Sequence, residues 1–178
     1  DRQALSPDGS RLAVVLNTSE LWIRDLERGT LTKLVTEAKE FVEDPQWTHD
    51  GRTIYYTVGN SAVFRRIRAE PGATPETVFD DAFRSFLAPD GSGIVVRRGS
   101  YRLETDQGVY WVPFDSKGRP GEIRKVLDDL DSFGRLAPDG RLFAYGKGLS
   151  GKREAFLTTF PAADQTIQLS AHGGGTPH

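Results

Sequence analysis

Acidic residues stand in pairs at three places in the chain: Glu43-Asp44, Asp80-Asp81 and Asp128-Asp129, the last followed by Asp131. Each pair comes just before a segment that reads as the innermost strand of a sheet. Carboxylates gathered in one place could hold a hard cation such as Ca²⁺ or meet a basic partner. The same residues also suit plain acidic loops that discourage strand edges from pairing. A second charged group is basic: Arg65, Arg66 and Arg68 share one strand-like run, and Arg97 and Arg98 close another. Alternation puts Arg66 and Arg68 on one face and Arg65 on the other. A nucleic-acid groove needs aromatic platforms beside such groups and an overall positive field. The net charge is −2, so these arginines read as solvated strand faces and no nucleic-acid partner is expected.

Residue types exclude much other chemistry. With Cys 0, disulfides, thiolate metal sites and cysteine nucleophiles are ruled out. The histidines are His49, in a turn, and His172 and His178, near the end, without the spacing of a metal site. Gly148-Leu149-Ser150-Gly151 lacks the spacing of a nucleophile elbow. Gly173-Gly174-Gly175 lacks the Lys-Ser/Thr of a phosphate loop and reads as a flexible link. Neither a His-Arg-Asp catalytic loop nor an Asp-Phe-Gly motif is present. Asn17-Thr18-Ser19 matches a glycosylation sequon and reads as a chance match. The expectation is a chain with no catalytic residues and no cofactor.

The elements that must position the acidic pairs announce themselves by repetition. Four near-copies of one turn occur: Ser6-Pro7-Asp8-Gly9, Thr48-His49-Asp50-Gly51, Ala88-Pro89-Asp90-Gly91 and Ala137-Pro138-Asp139-Gly140. Proline presets φ for the first central position of a type I turn, Asp bonds back to the local backbone, and Gly takes the left-handed closing position. An apolar run follows each turn, and a period near forty marks stacked sheet modules. Each module reads as four strands, approximately 1–37, 41–80, 83–128 and 132–171, with a tail 172–178 leading toward a further module. Gly93 should weaken its strand locally. Thr36–Glu43 is the one short candidate for a helix. Gly99–Gly108 reads as a polar surface loop. Trp22, Trp47, Trp111, Tyr55, Tyr110, Phe143 and Phe156 recur at matching places and are expected to wedge between neighbouring modules. In a propeller the acidic pairs would then gather at one rim of the central channel.

Ala4-Leu5-Ser6-Pro7-Asp8-Gly9-Ser10-Arg11-Leu12-Ala13 resembles the core of the TolB-type, WD-like β-propeller repeat. Leu21 to Leu34 is similar to the third and fourth strands of that repeat, and Pro45 to Ile54 to the start of the next blade. Ala137 to Pro161, on to Gly175, is similar to blades that follow the kinase domain in bacterial Ser/Thr kinases. The resemblance implies an all-β propeller of four-stranded antiparallel blades, four of them here out of a six-bladed ring. It implies a binding or sensor scaffold for a protein or peptide partner, on the periplasmic or extracytoplasmic side of a bacterial membrane. Its alternatives are the substrate-gating propeller of a prolyl-oligopeptidase-like peptidase and a periplasmic TolB-like envelope protein. Apolar runs of about six residues are too short to enter a membrane as a helix. No signal peptide is evident. With Met 0, even at position 1, the chain reads as a piece of something larger, with further blades of its parent as partners.

Overall fold

The computed structural model describes residues 2–80, 84–98, 107–128, 134–149 and 151–174. The chain is all-β. Among the described residues sixteen strands form four antiparallel four-stranded sheets of the propeller-blade type, and no helix occurs. The first sheet is β1 (Gln3–Leu5), β2 (Arg11–Leu16), β3 (Glu20–Asp25) and β4 (Leu31–Thr36), in that order. The second is β5 (Val42–Trp47), β6 (Thr53–Val58), β7 (Val63–Arg68) and β8 (Glu76–Phe79). The third is β9 (Arg84–Leu87), β10 (Gly93–Arg98), β11 (Gly108–Pro113) and β12 (Arg124–Asp128). The fourth is β13 (Arg135–Leu136), β14 (Leu142–Leu149), β15 (Lys152–Thr159) and β16 (Thr166–Gln168). The chain divides into two compact units, Asp1–Leu87 and Ala88–His178. Thr36–Glu43 is not helical: Thr36 ends β4, Val42 and Glu43 open β5, and a turn lies between. The insert at 99–106 lies outside the described residues.

The repeated turn joins the first two strands of each sheet, as its chemistry requires. Gly9 N donates to Ser6 O at 2.9 Å, and Ser6 N donates to Arg11 O at 2.8 Å. The other three copies close the same way. The closing glycines Gly9, Gly51, Gly91 and Gly140 have φ of 73°, 64°, 72° and 69°, where a Cβ would be strained. Each Asp accepts from the backbone N–H two residues on: Asp8 from Ser10, Asp50 from Arg52, Asp90 from Ser92 and Asp139 from Arg141, at 2.9–3.0 Å. Pro7, Pro89 and Pro138 occupy the first central position. His49 stands there in the second copy without changing the hydrogen bonds.

These bonds favour the charged carboxylate. The Ser6 hydroxyl, then the Ser10 N–H and hydroxyl, hold Asp8 down to about 2. Asp50 is lowered chiefly by the Thr48 hydroxyl, and Asp90 chiefly by Ser92. A carboxyl with a depressed folded pKa stabilises the fold above its unfolded value and loses that contribution as pH falls through the folded one. Asp8→Asn is therefore expected to lower Tm at pH 6, with the gap to the parent closing between about pH 4 and pH 2. A gap that stays constant with pH, followed by circular dichroism, would show that the charge is irrelevant.

Within the first unit, alternation divides each sheet into two faces. Ala13, Val15, Leu21, Ile23, Leu34, Val42, Ile54, Tyr56, Val58 and Ile67 form one buried cluster between the first two sheets. Trp47 packs against this cluster. Its Nε1 donates to Ala4 O at 2.9 Å, Arg11 lies over its ring at 4.8 Å, and Arg11 Nη2 donates to Gly51 O. Trp47 is half-buried, so Trp47→Ala is expected to cost about 2–4 kcal/mol, below the upper range for a fully buried aromatic. Urea denaturation checks this; a loss under about 1 kcal/mol would be an ordinary surface effect.

In the second unit, rings form the seam. Trp111 of β11 meets Phe160 edge-on at 5.1 Å, and Phe160 meets Phe143 at 6.0 Å. Phe143 stacks on Tyr145, and Tyr145 on Phe156. Gly93 is explained by this seam: a Cβ there would lie 2.5 Å from the Trp111 ring and 2.3 Å from Val112 O. The residue expected to weaken its strand is the one that lets Trp111 lie flat across it. For other recurrent aromatics the ring contacts seen run within one sheet. Trp22 bonds Glu20 and carries Lys33 over its ring, Tyr55 stacks on Phe64, and Tyr110 sits beneath Arg98 and Lys125, all within their own sheets. Long cationic side chains can cover these rings from a neighbouring strand, which the recurrence of aromatics alone does not reveal.

Candidate interaction rim

Three loops of the first unit come together at one end of its sheets. They are Asn17–Ser19 between β2 and β3, the stretch 37–41 between β4 and β5, and 59–62 between β6 and β7. Glu37 N donates to Ser19 O at 2.9 Å and Val42 N to Thr18 O at 2.8 Å. Gly59 N donates to Phe41 O at 2.8 Å, and Asn60 Nδ2 to Lys39 O at 3.0 Å. These bonds hold conformations that side chains ordinarily avoid. Asn17, Thr18, Lys39, Asp44 and Ala62 have φ of 51°, 63°, 64°, 48° and 52°. Left-handed backbone at residues other than Gly persists only where surroundings enforce it, and it gathers at functional sites. At the centre of these loops Phe41 is 48% exposed, beside exposed Lys39, Asn60 and Glu43.

A buried ionic lock supports the rim from below. Glu37, directly after β4, is 8% exposed. Arg65 Nη1 of β7 donates to both Glu37 oxygens at 2.8 Å, and the Tyr56 hydroxyl of β6 donates to Oε1 at 2.8 Å. Burial, then the Glu37 carboxylate, pushes the Tyr56 phenol far above its usual range, so it stays a donor at any working pH. For Arg65 the burial cost is outweighed by Glu37, and its pKa is raised. Arg65 is thus not a solvated strand face: its position opposite Tyr56 in the β6–β7 register turns it onto Glu37. Arg66 pairs with Glu76, and Arg68 with Glu70.

The acidic pairs are placed differently from one another. Glu43 and Asp44 do not precede the innermost strand but lie within it, at a bulge between Glu43 and Gln46 in the β5–β6 pairing. The extra residue is what gives Asp44 its left-handed backbone. Asp80 is exposed directly after β8. Asp128 is the last residue of the outermost strand β12, opposite Gly108, and Lys125 Nζ pairs with it at 2.5 Å. Asp81, Asp129 and Asp131 lie outside the described residues. Among the described residues no three His, Cys, Asp or Glu side chains are grouped as metal ligands.

The glycine-rich end is also ordered by a carboxylate. Glu154 of β15, 4% exposed, accepts from the Ser170 hydroxyl and from Gly173 N at 3.0 Å. Ser170 Oγ accepts from Ala155 N, and Gly174 N donates to Arg153 O. A Cβ on Gly174 would lie 2.6 Å from Ser170 Oγ. Gly173 and Gly174 are therefore a close-fitting strap around a buried charge, not a flexible link. His172, on this strap, is exposed.

No protein-family model and no characterised protein matches the chain by sequence. By structure it is similar to a protein assigned as TolB from Agrobacterium tumefaciens, at 16% identity and a TM-score of 0.71, over 96% of this chain and 61% of that one. It is similar to an oligogalacturonate lyase in complex with manganese, at 15% identity and 0.71, over 94% and 52%. The dihydro-heme d1 dehydrogenase NirN matches at 14% identity and 0.73, over 100% and 38%. Identities this low establish the fold, a TolB-like arrangement of propeller blades, and nothing of the activity. The chain spans about half the length of the structures it matches.

Proposed function

We propose that the chain is a non-catalytic propeller scaffold that offers the rim around Phe41 to a protein or peptide partner. The observation that carries this reading is the concentration of left-handed, non-glycine residues in loops held over a buried ion pair. Such a rim is preorganised, so a partner would not have to order it on binding. Phe41 supplies an apolar anchor, and Lys39, Glu43 and Asp44 supply flanking charge of both signs. The parent on this reading is a longer bacterial protein with further blades, exposed on the extracytoplasmic side. Resemblance of the region from Ala137 onward favours a Ser/Thr kinase as that parent.

The test places a photo-crosslinking residue at Lys39, at Asn60, or at Leu26 on the β3–β4 turn, in the full-length parent in its own cell. Adducts of one discrete mass from positions 39 and 60, absent from 26, are the expected result. Equal labelling at all three would overturn the assignment of the rim. An enzyme reading draws support from the manganese-bound lyase among the structural neighbours. Mn²⁺ or Ca²⁺ added to the purified chain is expected to leave Tm unchanged; a saturable rise of several degrees would favour that reading instead.

A further inference from the structure

Two buried hydroxyls of the first unit have no partner within the protein. They are Thr57 Oγ1 on β6 and Ser85 Oγ on β9. The residues are 1% and 3% exposed. Ile54, Tyr56 and Val58 of β6 point into the cluster shared with the first sheet, so Thr57 faces the other way. On that face Glu43 stands opposite Thr57, and Gln46 opposite Tyr55. Gln46 reaches across to β9: its Nε2 donates to Ser85 O at 2.8 Å, and its Oε1 accepts from Leu87 N at 2.7 Å. Strands β6 and β9 are in direct contact. The two hydroxyls thus lie on the neighbouring strands β6 and β9, beside the Gln46 clasp.

A buried hydroxyl left unpaired forfeits the hydrogen bonds it made to water, so native interiors satisfy such groups, commonly with an ordered water. Each hydroxyl can donate once and accept twice. Among the described residues no group of three acidic side chains accompanies these hydroxyls, and Glu43, opposite Thr57, is exposed and lies over Gly59 at the rim. A neutral ligand with several hydrogen-bonding positions fits better than a cation.

We propose that the seam between β6 and β9 is a hydration site, in which one ordered water bridges Thr57 Oγ1 and Ser85 Oγ. The water ties β9 to the second sheet beside the Gln46 clasp. This site stands whether or not the rim binds a partner.

A crystal structure of the protein at high resolution tests it directly. The expected result is a water peak within about 2.7–3.2 Å of both oxygens, absent from the same crystals of Thr57→Val. Hydroxyls bonded to backbone carbonyls with no water between them would overturn it. Thermal melting of Thr57→Val, Ser85→Ala and the double variant gives a second measure. Each single change is expected to lower Tm by several degrees, and the double by clearly less than their sum, because removing both hydroxyls leaves nothing unsatisfied. Strictly additive shifts would mean that the two groups share no ligand.

Discussion

Phe143→Ala is expected to destabilise the second unit by about 3–5 kcal/mol. The ring is fully buried, and it touches the structure on three sides. It stacks on Tyr145 at 5.9 Å, and it meets Phe160 at 6.0 Å. On the third side it lies against Gly134, where a Cβ would fall 2.1 Å from its Cζ. Through Phe160 it supports Trp111. Alanine would leave a cavity lined by the stiff rings of Tyr145 and Phe160 and by Gly134, so little of the lost contact is recovered by collapse. Trp111 fluorescence during urea denaturation reports the change at the seam. A loss below about 1.5 kcal/mol would mean that the rings repack, and that the seam is softer than its geometry indicates. Phe143→Leu, which keeps most of the volume, is expected to lose markedly less.

The second large effect is expected at Glu37. Glu37→Ala leaves the Arg65 guanidinium and the Tyr56 hydroxyl facing a buried space without their acceptor. Removing one partner of a buried pair is costly because the other stays charged. The Arg65 side chain is 30% exposed, so water relieves part of that cost, and about 2–4 kcal/mol is the expected loss. Glu37→Leu combined with Arg65→Leu is expected to lose less than the sum of the single changes, since no charge is then stranded. The same Glu37 variant is expected to speed amide exchange in 37–41 and 17–19, because the lock lies directly beneath these loops. Unchanged exchange there, with stability lost, would separate the lock from the rim.

The four-strand modules and their turns were legible in the residues because each rests on local chemistry. Pro7-Asp8-Gly9 and its copies need only their own backbone to close, so their geometry follows from four consecutive residues. The backbone hydrogen bonds are the same in all four, even with His49 in place of proline. The rim was half legible. Glu43 and Asp44 stand out in the sequence as a pair of carboxylates, but the bulge that places them inside β5 arises from pairing with β6. Phe41, Lys39 and Glu37 do not stand out there. Nothing in their types or spacing marks a left-handed turn at Lys39 or a buried acid at position 37. Their one common signal is that all three fall in Thr36–Glu43, the stretch that reads as a short helix and instead forms the turn between β4 and β5.

Residue order alone decided the all-β class, the number of sheets, the turns that join them and the absence of any cysteine chemistry. These depend on side-chain alternation and on φ preferences that act over a few residues. Tertiary structure decided which polar groups lost contact with water. Arg65 and Glu37 stand 28 positions apart, and each looks like an ordinary surface charge until two sheets bring them together. Gly93, Gly174 and the hydroxyls of Thr57 and Ser85 follow the same rule. Burial is a property of the packed molecule, and it is burial that turns a common residue into one that cannot be replaced.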